Sequence, residues 1–246
     1  MKLHSAVHFV CDLGPADRDA MFHLMEQNYA NVRRSRFDAD LAAKRWVILV
    51  CRPDDERLVG FSTQVLLEAH VGKECVRALY SGDTVVDRSH WGDSALARAW
   101  GNFALGLIDE HSDQNGRLYW FLTSKGFRTY HYLPLFFHRY FPHPASATPS
   151  WERNVIHALG TTIGGERYEP GRGIIRADGR SDFVRPEIAE PRSRRTNDPR
   201  ARYYVEVNPG FARGDELCCI APLTRENFTP AAYRVMRSRP HSVRAV

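Results

Sequence analysis

Between Cys75 and Thr123 this 246-residue chain changes its hydrophobic period twice, and few folds accommodate that change. Cys75 to Val86 reads as a strand, which the turn at Trp91-Gly92-Asp93 breaks. From Ser94 to Glu110 the period lengthens, with Leu96, Trp100, Phe103 and Leu107 on one helical face and Asp93 or Ser94 as the N-cap. Asn115-Gly116 then turns the chain into Leu118 to Thr123, a short apolar run suited to the centre of a sheet. A strand, a helix packed back on the sheet and a second strand make a parallel crossover.

The rest of the chain has to fit around that crossover. Leu3 to Val10 predicts a short strand, and Pro15 to Ala30 a helix with Met21, Leu24, Met25 and Tyr29 at helical spacing. A second helix is expected over Asp38 to Arg45. Trp46 to Arg52 and Arg57 to Leu67 pair as a hairpin through Pro53-Asp54-Asp55-Glu56, and Cys75 to Val86 joins them after Val71-Gly72-Lys73. Antiparallel runs followed by a crossover predict an α/β (α+β) class fold, a mixed, mostly antiparallel sheet with helices on both faces. Gly126 to Tyr140 is aromatic-rich and helical for part of its length, with Pro134 near its start and Pro142 and Pro144 ending it. Beyond Trp151 the sequence predicts a helix over Glu152 to Leu159 and strands over Gly173 to Arg176, Tyr203 to Val207 and Glu216 to Leu223. A turn at Asn208-Pro209-Gly210 and a terminal helix over Arg225 to Arg237 complete it. The expected organisation is a core over 1–145 with a C-terminal extension, 146–246, packed on it.

Composition narrows the function classes. A hydrophobic fraction of 43% with 11% aromatics describes a globular chain rather than a disordered one. No apolar run approaches the roughly 20 residues of a membrane span. Met1 to Asp12 lacks the basic-then-apolar pattern of a signal peptide, so a cytoplasmic protein is expected. Cys11, Cys51, Cys75, Cys218 and Cys219 have no zinc spacing, and His111, His131, His138 and His143 no ligand pairing with carboxylates, so no metal is expected. The net charge of +5 favours anionic partners. Much of it lies at Arg192, Arg194, Arg195 and Arg200, a proline-flanked stretch with few interleaved aromatics and hence no nucleic-acid signature. The glycines from Gly160 lack a P-loop lysine, there is no Gly-x-Ser-x-Gly elbow, and His8-x-x-x-Asp12 stands without supporting motifs.

The informative segment is Tyr80 to Leu96. A strand that ends in a tight turn before a helix directs backbone N–H groups outward, and the helix dipole adds positive charge there. Small residues at Gly92, Ser94 and Ala95 let a pyrophosphate approach the backbone. In these residues the chain resembles the GNAT superfamily of acyl-CoA-dependent N-acyltransferases, whose element order it matches from about residue 3 to residue 141. The Val85-Val86-Asp87 strand end and the helix from Gly92 fall at the acyl-CoA-binding motif. Ser124-Lys125-Gly126-Phe127-Arg128-Thr129-Tyr130 falls where the family splays two strands and starts a tyrosine-bearing helix. His90-Trp91-Gly92-Asp93-Ser94-Ala95 departs from the R-x-x-G-x-G/A pattern: serine occupies one glycine position and the basic residue is displaced.

The resemblance implies a co-substrate, acyl-CoA or an acyl-phosphopantetheine carrier, held by Val85, Val86, Asp87, Trp91, Gly92, Asp93, Ser94, Ala95 and Ser124. A thioester is already activated, so the protein must place an amine, accept its proton and return one to the thiolate. A backbone N–H near Val85 is expected to polarise the thioester oxygen. Asp83, two residues before Val85 and on the same face, is the candidate base, with Glu68 and His70 as alternatives. By resemblance Tyr130 is the candidate proton donor, with Tyr132 second. The cluster Tyr130, Tyr132, Phe136, Phe137, Tyr140 and Phe141 forms either an acyl tunnel or core. The expected function is N-acyl transfer to a small-molecule amine acceptor, with acyl carrier protein as a possible donor partner and a monomer or homodimer as the working unit. The alternative is a non-catalytic GNAT-like module that binds an acyl-CoA or a carrier protein.

Overall fold

The computed structural model describes residues 2–111, 116–189 and 198–237. Asn115 of the expected turn, and Arg192, Arg194 and Arg195 of the basic stretch, lie outside the described residues. The chain runs β1 (His4–Phe9), α1 (Pro15–Asn28), β2 (Tyr29–Ala30), α2 (Arg34–Ala42), β3 (Trp46–Cys51), β4 (Leu58–Val71) and β5 (Glu74–Val86). The crossover follows: α3 (Ala95–His111), β6 (Arg117–Ser124), then α4 (Phe127–Phe136). The remainder holds α5 (Ser150–Gly164), β7 (Tyr168–Glu169), β8 (Ile174–Ile175), β9 (Phe183–Val184), α6 (Pro186–Ala189), α7 (Pro199–Val207), β10 (Glu216–Pro222) and α8 (Pro230–Arg237).

Eight strands form one sheet in the order β1-β3-β4-β5-β6-β10-β8-β7. Every neighbouring pair is antiparallel except β5 and β6, which α3 joins in parallel. This is the mixed, mostly antiparallel sheet with flanking helices that the change of period demands. Alternation along each strand feeds two layers. Leu79, Trp120, Leu122, Leu217 and Cys219 pack with α3, α4, α7 and α8, while Tyr80, Tyr119, Phe121, Cys218 and Ile220 pack with α5. Val47, Leu49, Phe61 and Val85 pack on α1 and α2. No helix among the described residues is long and apolar enough to cross a membrane.

Several expectations need correction. Tyr203 to Val207 is not a strand but the end of α7. Pro199 sits in its first turn, Asp198 caps it by accepting from the Arg200 N–H at 2.9 Å, and Ala201 and Tyr204 are buried at helical spacing. The β-favouring side chains there obey the helical period and its start signals. The helix expected over Glu152 to Leu159 runs on to Gly164, where Gly165, at φ 53°, ends it. Pro134 stands in the second half of α4, not near its start.

Residues beyond 145 continue the same sheet. β10 pairs with β6 from Leu217↔Ser124 to Pro222↔Tyr119, on the edge of β6 opposite β5. Asn227, nearly buried, ties this end to the loop after α4. Its Nδ2 donates to the carbonyls of Arg139 (2.9 Å) and Pro222 (2.8 Å), and its Oδ1 accepts from the Arg139 N–H at 2.8 Å. Asn227→Ala leaves three backbone groups without partners, and the expected loss is about 2 kcal/mol or more in urea unfolding. An unchanged midpoint would show that water replaces the side chain.

Candidate active site

The site begins with one extra residue in β5. Ser62 faces Thr84 and Gln64 faces Ser81, so Gly82 and Asp83 together oppose Thr63 in a β-bulge. Before the bulge, odd-numbered residues such as Leu79 and Ser81 face α3; after it, Thr84 and Val86 do. Asp83 is thereby turned to the α1–α2 face, which Val85 shares. Gly82 is required by close approach: a Cβ there would come within 2.7 Å of Lys44 Cε and of Thr63 Oγ1.

The pairing of β5 with β6 ends at Ser81↔Leu122, one step before the bulge. Past that point the two strands part, and two clefts open beside Thr84. The outer cleft, about 370 Å³, lies between the end of β5, the turn at His90 to Asp93, Leu96 and α4, with Val184 and Ile188 closing one wall. The inner cleft, about 150 Å³, is lined by Asp83, Asp40, Lys125, Asp182 and Glu216, with Arg33, Arg36 and Arg167 also on its wall. Tyr29, Thr84 and Thr129 line both, so the clefts meet at those three side chains.

Backbone direction follows from alternation. The Asp87 N–H donates to the Val59 carbonyl at 2.7 Å, so the Val85 N–H, two residues earlier, also points at β4. The Val86 carbonyl points the other way and accepts from Trp91 Nε1 at 2.9 Å. The Val85 N–H is therefore not the group that can polarise a thioester; the cleft edge carries the main-chain groups of Thr84 and Val86.

At the turn, Val86, Trp91, Gly92 and Asp93 line the outer cleft with Val85. Gly92 adopts φ 112°, which a side chain would strain. Several N–H groups are already engaged: Trp91 donates to Arg88 O, Asp93 to His90 O, and Ala95 to the Asp93 carboxylate at 2.7 Å. Asp93 is thus the helix cap and takes up part of the turn's donor capacity. Asp87 and Ala95 do not line the cleft. Burial opposes the Asp87 charge, but the Ser89 hydroxyl and N–H outweigh it and hold the carboxyl below its usual range. Ser94 likewise serves the helix, its carbonyl accepting from Arg98 N–H. Positive charge arrives from elsewhere. The Arg128 guanidinium stacks 3.6 Å from the Trp91 ring, and Arg88 lies 5.6 Å from it.

The inner cleft is an array of opposed charges. Lys125 Nζ donates to Asp182 at 2.8 Å and lies 3.8 Å from Glu216. Burial disfavours its charge, but Glu216, Asp182 and Asp83 outweigh that and hold it protonated. Lys44, with its side chain 3% exposed, pairs with Asp40 at 2.7 Å. Asp83 is partly buried between these groups. Burial, reinforced by Asp40 and Asp182 against Lys125 and Lys44, pushes its carboxyl up to about 7. Burial also raises the Tyr29 phenol well above its ordinary value, keeping it protonated.

Other sequence candidates lie elsewhere. Tyr130 is fully buried on the α7 side of α4, donating to the Pro142 carbonyl at 3.0 Å, and reaches neither cleft. Its place in the helical period aims it at the core. Ser124 is fully buried and donates to the Gly126 carbonyl at 2.8 Å, so it is not a cofactor contact. Tyr132 does line the outer cleft. Of the aromatic cluster, Phe136, Phe137, Tyr140 and Phe141 are buried core. Glu68, paired with Arg77, and His70 sit toward the far end of the β4–β5 hairpin. Tyr29, Thr84, Lys125 and Arg128 carry the site without having been singled out. Their signal is tertiary, apart from Tyr29, which stands where the helical period of α1 gives way to a strand. Among the described residues no cluster of His, Cys, Asp and Glu is arranged to hold a metal ion.

No family model matches the sequence, and no curated protein matches it. Comparison with solved structures returns N-acyltransferases. A GNAT family N-acetyltransferase from Escherichia coli, solved with CoA, overlaps 54% of this chain and 69% of its own, at 10% identity and a TM-score of 0.38. Glucosamine-6-phosphate N-acetyltransferase from Arabidopsis thaliana overlaps 48% of this chain and 82% of its own, at 13% identity and a TM-score of 0.34. An Enterococcus faecalis protein described as a probable N-acyltransferase overlaps 52% of this chain at 15% identity and a TM-score of 0.36, and the match spans 31% of its own length. At such scores the chemistry rests on this chain's own geometry.

The raised Asp83 carboxyl fixes the sign of a stability effect. Between its unfolded value near 4 and about 7 the folded state holds the extra proton, so this group's contribution to stability falls as pH rises through that window. Asp83→Asn is expected to melt several degrees higher than the parent at pH 8 and equally at pH 4. Melts that differ equally at both pH values would refute the burial of the charge.

Proposed function

We propose that the protein transfers an acyl group from an acyl thioester to an amine, the thioester entering by the outer cleft and the amine by the inner one. The observation that carries this reading is the meeting of an open-edged strand and a charged cleft at Tyr29, Thr84 and Thr129, beside the Asp83 carboxyl, which burial and neighbouring carboxylates push up to about 7. A group with that value holds and releases protons readily at neutral pH, as a general base must.

Each residue then has a role. The apolar walls at Leu96, Phe127, Leu135 and Ile188 accept an acyl-pantetheine arm, and the Trp91–Arg128 stack with Arg88 gives the cleft mouth the positive charge a phosphorylated donor needs. With Asp93 and Asp87 occupying turn donors, binding relies more on these side chains than on a glycine-rich backbone cradle. Asp83 takes the proton from the attacking amine. Tyr29, protonated and at the junction, returns one to the departing thiolate; Tyr132 lines the donor cleft. The donor is an acyl-CoA or an acylated carrier protein, and the acceptor is a small amine.

A panel of acetyl-, octanoyl- and palmitoyl-CoA with small amines, read by thiol release, tests the reading. The expected rate rises with pH through about 7. Asp83→Asn should lower it roughly 10²–10⁴-fold and abolish that limb, and Tyr29→Phe should lower it about 10-fold or more. Tight acyl-CoA binding with no transfer to any amine would favour the non-catalytic module instead.

A further inference from the structure

A buried chain of hydrogen bonds ends at the junction of the clefts. Trp100 Nε1 and Trp120 Nε1 both reach Ser81 Oγ, at 3.2 and 2.9 Å. Ser81 Oγ lies 2.6 Å from Gln64 Oε1, Gln64 Nε2 lies 2.7 Å from Ser62 Oγ, and Ser62 Oγ lies 2.7 Å from Thr84 Oγ1. Ser81, Gln64 and Ser62 are buried, whereas Thr84 reaches both clefts.

The direction of every bond is fixed from one end. An indole nitrogen only donates, so Ser81 accepts twice and must spend its own proton on Gln64. That makes the near atom of the Gln64 amide its oxygen and turns the NH₂ toward Ser62. Ser62 accepts from the amide, and its remaining neighbour in the chain is Thr84, so it donates to Thr84. Reversing this last bond would leave a buried hydroxyl proton without a partner. Thr84 Oγ1 therefore accepts from behind and its own proton is directed forward. Its acceptor within the chain is the Gly82 carbonyl at 3.4 Å, a long contact that a better acceptor in the cleft would displace.

We infer that the Thr84 hydroxyl is the side-chain donor to the carbonyl oxygen of the acyl thioester. The inference rests on the acyl-transfer reading. As the amine nitrogen bonds to the carbonyl carbon, the π pair moves onto oxygen, where Thr84 stabilises it. The pair then returns, the C–S bond breaks, Asp83 holds the amine proton and Tyr29 supplies one to the thiolate. The two tryptophans, Ser81, Gln64 and Ser62 are positioning residues that keep Thr84 pre-set as a donor.

Difference infrared spectra of acetyl-CoA labelled with ¹³C at the carbonyl provide the test, together with transfer rates for the parent, Thr84→Val and Thr84→Ser. The bound carbonyl band should fall below its position in solution for the parent and for Thr84→Ser, and return toward an unbonded position for Thr84→Val. The rate for Thr84→Val should fall about 10²-fold, with acetyl-CoA affinity within about threefold of the parent. A Thr84→Val band and rate like the parent's would overturn the assignment of Thr84 alone. Parent protein that binds no acyl-CoA would overturn the acyl-transfer reading and this inference with it. Matching thermal melts for the three proteins keep the comparison one of chemistry.

Discussion

One inserted residue organises everything around the site. The bulge at Gly82 and Asp83 reverses which face of the sheet each later side chain of β5 meets. In a regular strand Asp83 would point at the packed face of Trp100 and Leu122, where an ionised carboxylate has no partner. The same insertion sends Thr84 toward Ser62, and it falls where β5 leaves β6. A register defect, a change of face and an opening in the sheet coincide within three residues.

The charges around the bulge are unevenly paired. Lys125 has two carboxylates close by, Lys44 has one, and Asp83 is left among them with more negative than positive influence. A fully paired Asp83 would stay ionised and be a poor acceptor; a fully isolated one would stay protonated. Burial, together with this uneven pairing, leaves it between those limits. On the other face the Trp100–Trp120 pair, with ring centroids 4.5 Å apart, seals the polar chain from water.

Much of this was legible in the sequence. The switch from alternate to helical period located α3, β5 and β6, because a buried crossover tolerates no other pattern. Asp83 and Val85 share a face because side chains alternate with period two and no further insertion separates them. The parts that could not be read depend on partners distant in the chain. Tyr130, in period with Phe127 and Leu133, meets Tyr204 of α7, whereas Tyr132, two residues on, meets the cleft; which face of the helix is covered is set by α7, far along the chain. Gly82 is one glycine among many until Lys44 and Thr63 crowd it. Arg128 serves the turn through Trp91, across the gap between α3 and α4. Tyr203 to Val207 misled because β-favouring residues can fill a helix once a proline and a cap have set its start.

The position of β10 bears on how the protein is made. β6 is the strand from which β5 diverges, yet its other edge is completed only by Glu216–Pro222, far along the chain. Until that segment leaves the ribosome, this strand, whose Thr123 lines the inner cleft, presents a row of unpaired backbone groups on an apolar ribbon, an invitation to pair with a neighbouring chain. Assembly of the sheet around the clefts therefore waits on its last strand, and a slow step late in synthesis lengthens the interval in which a chaperone has to shield that edge.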